Sequence, residues 1–296
     1  MYLPRAQVRP VSVIFRSSSR ALGFHTNLPA MTRSSIDDKE ISKFQEVGSD
    51  WWDANSVKGT GPLHAMNPVR VAFIQKCMLE NDRLASFPKS FERRPFDGLS
   101  FLDVGCGGGI LSQALARLGA KVTAIDPGEK NIEAARSAAA NDPDLASIDF
   151  DSCSAETLGA TGIQFDVVCS LEVVEHASNP AAFIRTLGGL AKPGGSLFLS
   201  TMNRSVKSYL LTIVGAEYLT RIVPPGTHDW NKYVTPEEMT NYLQQAGAEC
   251  KNFSGMVYNP VCNTWILKPQ DTDVNYIVHA KLPLLPPQSS PESQQK

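Results

Sequence analysis

Between Ser100 and Ile110 the chain reads Ser-Phe-Leu-Asp-Val-Gly-Cys-Gly-Gly-Gly-Ile, a short apolar run that breaks into glycines. Phe101, Leu102 and Val104 suit a strand covered on both faces, as the central strands of a parallel sheet are. Gly105, Gly107 and Gly109 let the backbone reverse tightly and let a ligand approach where a Cβ would obstruct it. Ile110 to Leu118 then predicts a helix whose free N–H groups face that ligand. A second strand, Lys121-Val122-Thr123-Ala124-Ile125, runs into Asp126, 21 residues after Gly105. At that distance a carboxylate meets ribose hydroxyls. Asp103 adds an acid inside the first strand. The corner predicts an α/β fold that binds a nucleotide-like ligand.

Strands and helices go on alternating after that corner. Glu129 to Asn141 predicts a helix, Ile148 to Ser154 a third strand, and Phe165 to Leu171 a fourth. Ala155-Glu156 reads as a turn that an adenine ring meets. A helix follows Asn179-Pro180, a turn at Lys192-Pro193-Gly194-Gly195 leads into a fifth strand at Ser196–Asn203, and Thr235 caps a helix at Pro236. Segments around Phe253–Tyr258 and Asn275–Lys281 supply terminal strands. Upstream, Ile41, Phe44 and Val47 at helical spacing predict a lid helix before Trp51-Trp52-Asp53. The stretch Leu63–Val71 is expected to lead into a second helix with Pro68 in its first turn. Its Arg70 reads on local sequence as a solvated arginine, with a carboxylate clamp as the sharper alternative.

The ends and the bulk composition narrow the class. With 296 residues, 42% of them hydrophobic, the chain can fill one α/β domain with extensions. A net charge of −2 gives no drive toward nucleic acid. The six cysteines form no C-x-x-C pair, which reads as reduced thiols. Residues 1–33 carry five arginines and no acid, a composition that resembles a mitochondrial transit peptide. Residues 283–296 read as a disordered Pro/Gln/Ser tail. No apolar run reaches the roughly 18–20 residues that a membrane span needs. Within an insert at 205–230, the apolar run Tyr209–Leu219, flanked by Lys207 and Arg221, suits either a bilayer interface or a buried lid.

Chemistry concentrates at Glu172, Glu175 and His176, placed i, i+3 and i+4 after the fourth strand, where a helical turn would turn all three to one side. Three readings stand together on these residues alone. They hold a hard divalent cation; or His176 is a general base that the glutamates orient; or the turn merely caps a helix or lines a cofactor without any metal.

The ordered set of motifs resembles a known family. Asp-Val-Gly-Cys-Gly-Gly-Gly followed by a strand ending at Asp126 looks like the S-adenosylmethionine site of Rossmann-like methyltransferases. Phe44 before Trp51-Trp52-Asp53, Pro62-Leu63-His64 before Asn67-Pro68 and Arg70, Glu172 with Glu175-His176, and Asn203-Arg204-Ser205 before Tyr209 resemble the ubiquinone-biosynthesis O-methyltransferases, from about Phe44 to about His279. The resemblance implies a class I methyltransferase domain over 36–282, with a seven-stranded, mostly parallel sheet, flanking helices, N-terminal lid helices and an insert after strand five. It implies S-adenosylmethionine held by Arg70, Gly105, Asp126 and Leu171, and a magnesium ion held by Glu172, Glu175 and His176. His176 and Glu172 would then be catalytic. It also implies a polyprenylated phenolic substrate, a multi-subunit ubiquinone-biosynthesis complex, and a peripheral place on the matrix side of the mitochondrial inner membrane. The rivals are a methyltransferase for another apolar quinone or sterol acceptor, and a non-catalytic assembly subunit docked on a membrane.

Overall fold

A computed structural model describes residues 35, 37–53, 60–80, 94–219, 224–260, 262 and 264–284. The transit-peptide segment, Arg221 and nearly all of the expected tail fall outside these residues. Five strands run parallel: β1 (Ser100–Val104), β2 (Lys121–Ile125), β3 (Asp149–Asp151), β4 (Phe165–Leu171) and β5 (Ala191–Met202). Three more pair antiparallel: β6 (Glu249–Asn259), β7 (Thr264–Lys268) and β8 (Asn275–Lys281). The spatial order is β3-β2-β1-β4-β5-β8-β6-β7. Strand order reverses between β1 and β4, and a doubly wound sheet opens its ligand crevice at such a switch point.

The sheet has eight strands rather than the expected seven. The additional one is β7, which folds back on the end of β6 with Asn259 opposite Thr264 and Gly255 opposite Lys268. As an edge strand it buries only one face, through Trp265 and Leu267.

Alternation along the strands divides the core. Phe101, Val167 and Phe198 point to the layer holding Phe73, Ile74, Leu115 and Ile132, whereas Leu102, Val168 and Leu197 point to the layer holding Ile184, Leu187 and Leu243. Both faces are therefore covered, as the continuous apolar runs required.

The second helix begins earlier than expected and spans Gly61–Leu79. Pro62 takes its first turn, where no N–H is needed, and Pro68 lies inside the helix on an exposed face. The buried stripe Met66, Arg70, Phe73 and Cys77 follows from the helical period and carries Arg70 inward. Within the insert, Ser205 caps Val206–Ser208, which continues as a π-helix over Tyr209–Leu219. No helix of the described residues is long and apolar enough to cross a membrane.

Candidate active site

One crevice lies over the carboxyl ends of β1, β2 and β4, and it is lined by Arg70, Gly105, Asp126, Leu171, Glu172 and His176 among others. The glycine turn is fastened to β2 at its base, since Gly105 N and Cys106 N donate to Ile125 O at 2.8 and 3.0 Å. Asp126 secures its upper part. Its Oδ2 accepts from Gly107 N at 3.0 Å, while Oδ1 accepts from Gly128 N at 2.8 Å and Asn131 Nδ2 at 3.0 Å. Burial nevertheless pushes the Asp126 carboxyl above its ordinary range, against the hydrogen bonds from Asn131, Gly128 and Gly107. Asp103 lies beneath and accepts from Ser112 Oγ at 2.5 Å; burial pushes it up to about 6.

Trp51 closes the turn from above. A Cβ added at Gly107 would lie 2.4 Å from the Trp51 ring, and Gly107 also holds φ +51°, so glycine is required there twice over. Trp51 Nε1 donates to Asn131 Oδ1 at 2.9 Å, and Trp52 Nε1 donates to Gly108 O at 2.9 Å. The sequence reading put these tryptophans after a lid helix without giving them a partner. The pair lies far upstream of the glycine turn, so no local spacing joins the two.

Arg70 is 5% exposed, so the solvated reading fails. Its Nη2 stands 3.2 Å from Glu172 Oε1, an ion-pair distance, yet neither Nη2 nor Nε makes a hydrogen bond. A buried guanidinium on the wall of a crevice thus keeps donors free for a ligand. Ala155 and Glu156, expected as a turn, instead open the helix Ala155–Gly159, with Ser154 accepting from Thr157 N as its cap. Both still line the crevice.

The helical turn expected from Glu172 to His176 does not form in that way. Glu172 has φ +59° and is the one non-glycine at positive φ among the described residues, and a 3₁₀ turn begins only at Val174. A left-handed residue before the turn breaks the i, i+3, i+4 face, so the three side chains diverge. Glu172 Oε1 accepts from Ser200 Oγ at 2.6 Å. Glu175 Oε2 accepts from Thr201 Oγ1 at 2.8 Å, its Oε1 has no partner, and burial pushes its carboxyl above the ordinary range. His176 Nδ1 lies 3.0 Å from Glu40 Oε2, and Phe44 meets the imidazole edge-on at 4.8 Å. Among the described residues, no group of three or more His, Cys, Asp or Glu side chains is placed to hold a metal ion. The hydrogen bonds of His176 and Lys232 hold Glu40 down at about 2 against its partial burial.

The chain and its fold are similar to known proteins. A family model described as a methyltransferase domain matches residues 78–251. The mitochondrial ubiquinone biosynthesis O-methyltransferase of Arabidopsis thaliana is 45% identical over 246 residues, 83% of this chain and 74% of that one. The ubiquinone biosynthesis O-methyltransferase of Methylocella silvestris is 41% identical, over 83% of this chain and 95% of that one. This chain belongs to the ubiquinone biosynthesis O-methyltransferase family. Among solved structures, the magnesium protoporphyrin IX methyltransferase of Synechocystis PCC 6803 with bound SAH has a TM-score of 0.54 at 21% identity, covering 83% of this chain and 100% of that one. That likeness fixes the class I methyltransferase fold. In this O-methyltransferase the crevice lies over the carboxyl ends of β1, β2 and β4, at the switch point of the sheet.

Proposed function

We propose that this chain is an S-adenosylmethionine-dependent O-methyltransferase that methylates a phenolic oxygen of polyprenylated catechol or hydroquinone intermediates in ubiquinone biosynthesis. The observation that carries the reading is Arg70: a buried guanidinium with unspent donors in the same crevice as Asp126 and His176. A methionyl carboxylate would take those donors bidentately, and an adenosyl ribose would take the remaining lone pairs of Asp126. Gly105 lines the crevice at φ +74°, where a Cβ would lie 2.5 Å from a Val173 methyl, and Leu171 ends β4 at the crevice wall. S-adenosylmethionine supplies an electrophilic methyl group on a sulfonium, which leaves with the bonding electrons on sulfur as a neutral thioether. His176 takes the phenol proton, and the resulting phenolate attacks that methyl in line. Glu172, fixed by Ser200 and Arg70, orders the wall beside it.

The magnesium ion that the resemblance implies would draw on Glu172, Glu175 and His176. As arranged these three do not fit one ion, because Glu172 faces Ser200 and Arg70, Glu175 faces Thr201, and His176 faces Glu40. The proton transfer above needs the imidazole alone.

The insert supports a membrane surface as the place of reaction. Val206, Tyr209, Leu210, Leu211, Tyr218 and Leu219 are exposed apolar side chains on one short stretch, and an apolar substrate resides in lipid. We place the enzyme on the matrix face of the mitochondrial inner membrane, within a complex of ubiquinone-biosynthesis proteins. The test is methyl transfer to a short-tail polyprenyl catechol by the full chain, with and without chelator, together with flotation on phosphatidylcholine/cardiolipin vesicles. An O-methyl ether by mass spectrometry is expected, along with flotation that Leu210→Glu/Leu211→Glu abolishes while leaving the solution rate unchanged. Lack of S-adenosylmethionine binding by calorimetry would overturn the reading.

A further inference from the structure

We infer that Glu40 is a positioning residue for methyl transfer: it fixes His176 as the Nδ1–H tautomer and leaves Nε2 as the basic nitrogen of the ring. The inference rests on the reading of His176 as the group that receives the acceptor's proton.

The helix Asp38–Gln45 presents Glu40 and Phe44, i and i+4, to the same imidazole. Phe44 sets the plane of the ring through an edge contact at 83°. Glu40 Oε2 sets its proton. A carboxylate can only accept, so at 3.0 Å from Nδ1 it requires the hydrogen of a neutral imidazole to sit on that nitrogen. The other oxygen of Glu40 is held 3.0 Å from Lys232 Nζ, which also reaches Asp37 Oδ2 at 3.4 Å. Lys43, on the same helix, donates to Gly226 O at 3.0 Å and also to Thr227 O. Two lysines thus tie the helix to the end of the insert and to the turn just after it, and a Glu40 that turned away from His176 would break the Lys232 contact. A base oriented by a third group is the arrangement that makes an imidazole an efficient proton acceptor. The same partner would orient the ring if Nε2 met a metal instead.

The test uses the full chain labelled with ¹⁵N-histidine, with the His176 ring signals assigned by their loss in His176→Asn. Long-range ¹H–¹⁵N spectra of neutral His176 are expected to show Nδ1 protonated and Nε2 bare in the wild type. Glu40→Ala should release this bias. Its kcat for a short-tail catechol should fall about 10–100-fold while the Kd for S-adenosylmethionine stays within twofold. Glu40→Gln, whose amide oxygen still accepts from Nδ1–H, should keep the tautomer and lie between the two in rate; it serves as the test if Glu40→Ala fails to fold. An Nε2–H tautomer in the wild type would overturn the assignment. So would a tautomer and kcat unmoved by Glu40→Ala, or a fall in Tm and donor affinity that parallels the fall in kcat. If the wild type itself methylates no catechol, the proposed function fails while the tautomer comparison still decides the role of Glu40.

Discussion

His176 and His279 belong to opposite halves of one sheet, and they show what each half is for. His176 follows β4 in the parallel half, where its side chain keeps 18% exposure, a carboxylate partner on Nδ1 and a place on the crevice wall. His279 lies on β8 in the antiparallel half, 2% exposed, stacked on Phe198 at 4.6 Å with Nε2 at 3.1 Å from Ser196 Oγ. Parallel strands all end on the same edge, so the loops after β1, β2, β3 and β4 bring Gly105, Asp126, Ala155 and Glu172 together there. Antiparallel neighbours end on alternate edges and gather nothing. A buried polar group there meets a backbone acceptor of the fold, as Tyr276 Oη shows by donating at 2.9 Å to Val234 O, just before the helix that Thr235 caps.

The comparison breaks most sharply at two glycines. A Cβ at Gly255 on β6 would lie 1.7 Å from Asp271 O, a backbone atom, whereas at Gly107 it would meet the movable Trp51 ring. Gly255→Ala is therefore expected to cost about 4 kcal/mol or more, a fall of roughly 10 °C in Tm by calorimetry, and no single partner change should restore it. Gly107→Ala should reduce S-adenosylmethionine binding more than stability. Trp51→Ala should recover part of that loss. Full recovery of Gly255→Ala by a side-chain change elsewhere would erase the distinction.

Elements whose signal is local were legible in the sequence, and contacts across long separations were not. β1, β2 and β4, the glycine turn, Asp126 and the Thr235 cap all follow from apolar runs and residues with one dominant conformational use. Pro68 was misplaced because a proline commonly marks a first turn, and here Pro62 had already taken that role. β7 was missed because a strand that buries one face over five residues is too short to set a period. The divergence of Glu172, Glu175 and His176 depends on one left-handed residue held by Ser200, which periodicity cannot register. The grip of Glu40 on His176 spans 136 positions, and nothing in local spacing joins them.

The antiparallel half should announce itself in acid. Burial lowers the His279 pKa from 6.5 to about 4, with Lys281 and Lys251 adding to the effect. Between those values the unfolded ring binds a proton that the folded ring refuses, so stability rises with pH across this window. The contribution is complete above about pH 6.5 and is lost as pH falls through about 4, at most about 3 kcal/mol in all. His279→Phe keeps the ring stack on Phe198 and removes the titration. Urea unfolding between pH 4 and 7 should then show a flatter dependence than the wild type; an unchanged slope would deny His279 this role.

The smallest effect belongs to the parallel half and leaves folding nearly untouched. Asp126 gives one oxygen to Gly107 N and the other to Gly128 N and Asn131 Nδ2, so its charge is shared among three donors before any ribose arrives. Asp126→Asn keeps the shape but only one accepting oxygen, and its NH₂ faces donors on whichever side it turns. Part of the glycine turn then loosens, and a ribose hydroxyl loses a charged acceptor, a bond whose removal costs about 1.5 kcal/mol or somewhat more. S-adenosylmethionine binding should weaken about tenfold by calorimetry. The matching control is Ser254→Ala, a buried hydroxyl on β6 that donates to Gly255 O at 3.1 Å and lies away from the crevice. It should leave the affinity as it is. Equal losses from the two variants would mean that donor affinity follows general packing rather than the edge where the parallel strands end.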